Sequence, residues 1–260
     1  VIRRGSASLV LSQLVRETRA DAIHFNRRFE PSARRTEEAV HAALADLGAK
    51  VNTFSGSVLL EPWASVKRDG SPYRVFTPFW KACRAGSSPK EPSGRPDNLR
   101  PMSSWPESLP LDALELMPHI HWYEGMAETW NPGEAGASRC LDAFLDEALT
   151  DYAKRRDYPG LEGVSRMSPY LHFGELSPWH IWQQLQQWSS SSTDSGSIKA
   201  TEAYLRQLGW RDFAYQLLYY FPHTSDQPLD ERFKAFPWKR RHSKQLTRWQ
   251  QGKTGIPIVD

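Results

Sequence analysis

The sequence has no apolar run approaching the roughly 18 residues a membrane-spanning helix needs, so no membrane association is expected. It has only two cysteines, Cys83 and Cys140, too few for a disulfide framework and in keeping with a reducing cytoplasm. No GxGxxG follows a strand pattern, which excludes the usual dinucleotide fingerprint. Charge of one sign is scarce as well: 33 Lys and Arg stand against 30 Asp and Glu, a net of +3. An anion site must therefore be a local concentration of charge rather than a property of the whole surface. His119 and His121 have no partner cluster and make a weak basis for a metal. What is plentiful is tryptophan, eleven in 260 residues, in a chain long enough for one large or two ordinary domains. Such a surplus suits flat ligands, or electron transfer through indoles, as well as packing.

The chain opens on Val1 and stops at Asp260 just after an apolar run, and we read it as an internal fragment. Ala7, Leu11, Leu14, Val15 and Thr18 have helical spacing, and Ala22 to Phe25 is a short apolar strand. Ala39, Val40, Ala43, Leu44 and Leu47 repeat the helical stripe, Gly48 ends it, and Val51 to Phe54 form the next strand. This βαβ-like alternation predicts a doubly wound parallel sheet. Thr77-Pro78 reads as an N-cap with Pro at the first helical position. Periodicity then dissolves into Pro, Ser and Gly, so we expect an α/β domain over residues 1–86 and a connector over 87–135. From 136 to 260 the character is all-α and truncated, beginning with the stripe Leu141, Phe144, Leu145, Ala148, Leu149 and Tyr152. The serine-rich tract 189–197 reads as a surface loop between helices.

Two stretches carry chemistry. In GVSRMSPYLHFGELSP, residues 163–178, Ser168-Pro169 and Ser177-Pro178 each pair a capping hydroxyl with a helix-starting proline. With Ser165 and Arg166 upstream, the loop offers hydroxyls, free N–H groups and a guanidinium suited to a phosphate; the same residues also make two ordinary helix caps. In YLRQLGWRDFAYQLLYYF, residues 204–221, Trp210, Phe213, Ala214, Leu217, Leu218 and Phe221 share one helical face, expected to point inward. Gln207, Trp210 and Arg211 cluster beside it, able to stack on something flat and hold something anionic. A core helix with a Trp anchor and an ion-paired Arg211 is the other reading. The C-terminal half also interleaves aromatics with Lys154, Arg155, Arg156, Arg211, Lys239, Arg240, Arg241, His242, Lys244, Arg248 and Lys253. That mixture suits a nucleic-acid backbone and its bases, and also suits a solvated face.

The blocks RRDYPGLEGVSRMSPYLHFGELSP, YLRQLGWRDFAYQLLYYFPH and WQQGKTGIPIVD, with YRVFTPFWKAC at 73–83, closely resemble the DNA photolyase and cryptochrome family, in the branch of bacterial cyclobutane pyrimidine dimer photolyases. The resemblance implies an α/β antenna domain, incomplete here because the family's first strand lies outside the sequence, a connector and a helical domain that binds FAD. It implies light-driven lyase repair of UV-damaged DNA by electron transfer from excited reduced FAD, in a monomeric protein. Tyr152, Val164, Ser165, Arg166, Met167 and Ser168 look like the flavin-contacting tyrosine and the loop around the FAD phosphates. Tyr204, Gln207 and Arg211 fall on the helix lining the flavin, and Trp210 resembles the indole that stacks on the flipped-out lesion. Arg156 resembles a DNA-contacting arginine, and Gln207, Trp210, Arg211 and Asp212 are carried over to the DNA side. Trp238 matches the outer tryptophan of the electron relay.

Departures from the family pattern leave alternatives. Val164 stands where Thr is common. Gln207 replaces the Glu of many dimer photolyases and matches (6-4) photolyases and animal cryptochromes, so a (6-4) substrate or a blue-light receptor is the alternative function. Ser32 and Ala33 replace an Asn-Glu pair of folate-binding members, leaving the antenna as deazaflavin, folate or none. A flavin-free nucleic-acid binder is the remaining class.

Overall fold

The computed structural model describes residues 1–86, 97–98, 102–191, 195–237 and 243–260, which form two compact units, Val1–Pro222 and His223–Asp260. The first unit begins with helix α1 (Ala7–Thr18), capped where the Ser6 hydroxyl accepts the Leu9 N–H at 3.4 Å. Strand β1 (Ala22–Asn26), helix α2 (Pro31–Ala45) and strand β2 (Lys50–Phe54) follow. The strands pair in parallel, Ala22 opposite Lys50 and Asn26 opposite Phe54, so α2 is the crossover of a βαβ unit. Val15, Val40 and Leu44 are buried between the helices and the sheet, packed with Leu11, Ile23, Phe25 and Val51. The N-terminal part is thus α/β with a small parallel sheet, two-stranded among the described residues.

Helix α3 (Phe76–Gly86) opens at Phe76, upstream of the Thr77-Pro78 pair expected to cap it. Between residues 102 and 133 regular structure is sparse, limited to a 3-10 turn at Leu111–Leu114 and helix α4 (Glu124–Thr129). Helix α5 (Glu134–Ala143) continues through a π-helical turn, Phe144–Ala148, toward the short α6 (Tyr152–Arg155). The stripe from Leu141 to Tyr152 is buried at every predicted position. Helices α7 (Ser168–Phe173), α8 (Pro178–Ser190) and α9 (Ser195–Tyr220) complete the helical part. The loop expected over 189–197 is shorter, because Ser189 and Ser190 end α8 and Ser195 opens α9. The Ser190 hydroxyl folds back onto the Gln186 carbonyl at 2.8 Å, which lets a serine sit in a helix end.

Helix α9 is the axis of this unit, contacted by α3, α6, α8 and the 3-10 turn Pro62–Ala64. Of the expected face only Phe213 is buried, with Leu217 packed half-buried against the core. Thr201, Tyr204, Leu205, Leu208, Asp212, Phe213 and Gln216 are buried, whereas Trp210 is 45% exposed and Ala214 is exposed. The reason is that polar side chains on the buried side find backbone partners in residues 57–65. Asp212 accepts the Leu60 N–H at 2.9 Å, and Gln216 donates to the carbonyls of Pro62, at 3.4 Å, and Ser65. Apolar periodicity cannot register a face satisfied in this way.

In the second unit, helix α10 (Lys244–Gln250) is capped by Ser243, whose hydroxyl accepts the Leu246 N–H at 3.2 Å. The Asp260 carboxylate gathers the Thr254 and Gly255 N–H groups at 2.6 Å each. No helix among the described residues is long and apolar enough to cross a membrane.

Candidate functional site

Tyr152 ends the buried stripe that begins in α5, and its ring meets those of Phe144 and Tyr204 edge-on, with centroids 5.6 and 5.2 Å away. The loop that follows returns against α6. A Cβ on Gly163 would lie 2.7 Å from Arg155 Cβ and 2.9 Å from its carbonyl, so only glycine lets the chain pass there. Arg166 then adopts a left-handed backbone, φ 53, at a cost of about 1–2 kcal/mol for a non-glycine residue. Around it the side chains alternate. Val164 and Arg166 face solvent, Arg166 paired with Glu162 at 2.9 Å, while Ser165 is half-buried and Met167 is buried.

The Ser165 hydroxyl is a junction: it accepts the Tyr204 O–H at 2.8 Å and the Met167 N–H at 3.3 Å. Ser168, expected to cap α7, is instead its first residue, with Met167 at the cap and making no side-chain bond there. Its hydroxyl is thereby left to line a cavity. Ser177 does cap α8, accepting the Trp179 N–H at 3.2 Å.

The cavity holds about 450 Å3 and is walled by Tyr152, Ser165, Met167, Ser168, Leu171, His172, Tyr204, Gln207, Leu208, Arg211 and Tyr215. Sequence reasoning named most of this wall but missed Leu171, His172, Leu208 and Tyr215. For Leu208 and Tyr215 a signal existed, since 204, 207, 208, 211 and 215 fall on one helical stripe. The Arg211 guanidinium donates to the carbonyls of Ser57 and Leu171, the latter at 3.3 Å, and lies 5.0 Å from the Tyr215 ring centroid. The ion pair expected of a merely structural arginine is not made: no carboxylate lies within salt-bridge distance of it among the described residues. With five N–H groups it keeps donors for an anion. Burial pushes the Tyr204 phenol well up, against the opposing Ser165 hydrogen bond, and raises Tyr152, which Arg156 only partly offsets. Both phenols therefore stay neutral, and the cavity combines one cation, two serine hydroxyls and an apolar, aromatic wall. Such a wall accepts a flat ring at one end and a phosphate at the other.

The remaining predicted site residues lie elsewhere. Trp210 stacks face to face on Phe76, with centroids 3.7 Å apart and planes 7° apart, and keeps part of its surface in solvent. Arg156 is exposed beside Asp157, at 3.4 Å, with its guanidinium 5.8 Å from the Tyr152 ring. Asp212, expected on the DNA side, is buried under residues 59 and 60 because it supplies an acceptor to that backbone. Trp238 and the basic run Lys239 to His242 lie outside the described residues. No group of three or more His, Cys, Asp or Glu side chains suited to a metal occurs among the described residues.

Two family sequence models match the chain: DNA photolyase over residues 1–97, and the FAD binding domain of DNA photolyase over residues 204–260. The deoxyribodipyrimidine photo-lyase of Agrobacterium fabrum is 37% identical over 264 residues, covering 100% of this chain and 53% of the relative. Cryptochrome-2 of Arabidopsis thaliana is 29% identical over 269 residues, covering 100% of this chain and 44% of the relative. A crystal structure of a bacterial class III photolyase from Agrobacterium tumefaciens superposes with a TM-score of 0.90 at 36% identity, over 98% of this chain and 52% of that one. The chain spans about half the length of the curated relatives it matches. With its α/β part and its cavity-lining helix α9 both matched, and a relative of known structure following its backbone almost throughout, the chain belongs to the DNA photolyase and cryptochrome family.

Proposed function

We propose that the protein repairs cyclobutane pyrimidine dimers in UV-damaged DNA as a light-driven carbon–carbon lyase, acting as a monomer with FAD as its cofactor. In this reading residues 1–86 are the antenna domain, 87–135 the connector and 136–260 the first part of the FAD-binding domain. The observation that carries it is the convergence of Tyr152, Ser165, Met167, Ser168, Tyr204, Gln207 and Arg211 on one cavity. Arg211, a half-buried cation that makes no salt bridge among the described residues, fits a pyrophosphate, and the two serine hydroxyls add neutral donors. Val164 and Arg166 reach the same ligand only through their backbone, since both side chains face solvent.

When bound, reduced FAD would supply light-driven electron transfer to the dimer, held by Tyr152, Ser165, Met167, Ser168, Tyr204 and Arg211. This chain's residues hold and screen. Tyr152, Tyr204 and Leu208 exclude water from the cavity, Gln207 offers an amide at its wall, and Trp210 presents an indole face to the extruded pyrimidine dimer. A lesion is cheaper to extrude than a paired base, which supplies selectivity. Arg156, exposed at the C-terminal cap of α6, meets the phosphate backbone, and Trp238 is the outer tryptophan of the electron relay. A second cavity of about 360 Å3, lined by Arg28, Phe29, Glu30, Ser32, Ala33, Ser57, His172, Phe173 and Tyr215, is the place for an antenna chromophore, a deazaflavin or a folate.

The test uses the full-length protein: record its visible spectrum, then follow thymine-dimer DNA under blue light against a dark control. A flavin spectrum with light-dependent loss of dimers is expected. A protein that purifies without flavin, or that leaves dimers intact under light, overturns the reading. Gln207 at the cavity wall, together with the similarity to a plant cryptochrome, favours a second reading, a (6-4) photolyase or a cryptochrome-type photoreceptor. Flavin without dimer repair would select it.

A further inference from the structure

Asp212 and Gln216 stand one turn apart on the buried side of α9, and both grip the same stretch of chain, residues 60–65. Chemistry sets the orientation of each. Gln216 faces two backbone carbonyls, those of Pro62 and Ser65, so its Nε2 points toward them and its Oε1 points away. Asp212 uses Oδ2 to accept the Leu60 N–H at 2.9 Å. What remains is Asp212 Oδ1 and Gln216 Oε1, both shielded from solvent and both without a hydrogen-bond partner among the described residues. Side chains at i and i+4 lie on one face of a helix, roughly 5–6 Å apart at Cβ. Two bare acceptors placed there repel each other, and each unmade bond is costly. One hydrogen between them removes both penalties.

We propose that Asp212 is a positioning residue working as a neutral acid: its carboxyl proton is shared with Gln216 Oε1, and the joined pair fixes residues 57–65 where the Ser57 carbonyl seats Arg211 at the cavity. The surroundings favour the proton. Asp212 is 4% exposed, and burial, the largest influence, pushes its pKa up to about 7 against the opposing Leu60 N–H and Arg211. The charged or titratable groups that face it are Arg211 and Tyr215 on α9 itself and Cys83 on α3; residues 59 and 60 contribute only backbone N–H groups. Burial pushes the Cys83 thiol up to about 11, and Tyr215 is raised as well, so both are neutral where Asp212 titrates. Arg211 is the one cation in this set, and its pull is smaller than the penalty of burying the charge.

The direction of the pH dependence follows. The folded chain holds this proton over a range in which the unfolded chain has released it, so the stability it contributes is complete below about pH 4 and is lost as pH rises through about 7. In the full-length protein, the thermal midpoint should fall between about pH 5 and about pH 8. Asp212→Asn supplies the same hydrogen from its amide and keeps an acceptor for Leu60; it should retain the wild-type midpoint at the acid end and lose the decline. A protonated-carboxyl infrared band present in the wild type near pH 6 should be missing from that variant, whereas Asp212→Ala should lose several degrees at every pH. The proposal is overturned if Asp212→Asn is as unstable as Asp212→Ala, if its pH profile parallels the wild type, or if the band is absent. A carboxylate bridged by water would give a flat profile and no band, which also overturns it. Should Asp212→Ala fail to fold, the wild type and Asp212→Asn decide the matter alone. Weaker flavin retention in Asp212→Ala would follow from a displaced Arg211 and rests on the flavin reading; the midpoints and the infrared band do not.

Discussion

At the scale of single residues, Tyr204 and Trp210 sit six residues apart on one helix and do different work. Tyr204 is buried and spends its hydroxyl on Ser165, tying α9 to the loop that walls the cavity. Tyr204→Phe should cost about 1 kcal/mol, the usual net worth of one internal hydrogen bond, as measured by urea denaturation. It should also loosen flavin retention, because Ser165 keeps only the Met167 N–H. Trp210 is divided between packing and solvent, since its indole covers Phe76, which is 4% exposed. Trp210→Ala should therefore cost about 2 kcal/mol of stability, less than the 3–5 kcal/mol of a fully buried ring. It should separately weaken binding to dimer-containing DNA by about 1–3 kcal/mol, the range for one lost base-stacking platform. Trp210→Phe separates the two effects, because it keeps Phe76 covered while shrinking the exposed face. Equal DNA affinity for all three proteins would rule out a stacking role.

At the scale of elements, the contact between α3 and α9 depends on a missing side chain. A Cβ on Gly209 would lie 2.4 Å from Cε3 of the Trp80 ring, and Trp80 is itself 7% exposed and stacked beside Phe76. Gly209→Ala gains helix propensity but overpacks a site that cannot yield, and should lose about 1–3 kcal/mol, read as a lower thermal midpoint. Element identity was legible in the residues: the stripes of α1, α2 and α5 and the two strands follow directly from apolar spacing. The buried face of α9 was not. It includes Asp212 and Gln216, whose partners are backbone groups far away in sequence, and no local pattern announces such a partner. Ser168 was misplaced by one position because Ser-Pro marks a helix start without saying which residue is the cap.

At the scale of the whole molecule, net charge is small, so any grip on DNA must come from particular exposed cations rather than from a general field. Arg156→Ala should weaken binding to damaged and undamaged DNA alike and lower the salt slope of log K by about 1, one phosphate contact's share; an effect confined to damaged DNA would contradict a backbone role. The α/β character of the N-terminal part could be read from its alternating helices and strands. The cavity could be read only in part, because Leu171 and His172 join it through the fold of a loop, while α9 presents its stripe in sequence order. The Gly209 and Trp80 contact joins α9 to α3. An indole occupying the space of an absent methyl group makes the two positions interdependent in descent: a lineage can enlarge residue 209 only after residue 80 has shrunk. A paired library at 80 and 209, selected for survival after ultraviolet exposure, should return small-with-large and large-with-small combinations and almost nothing else.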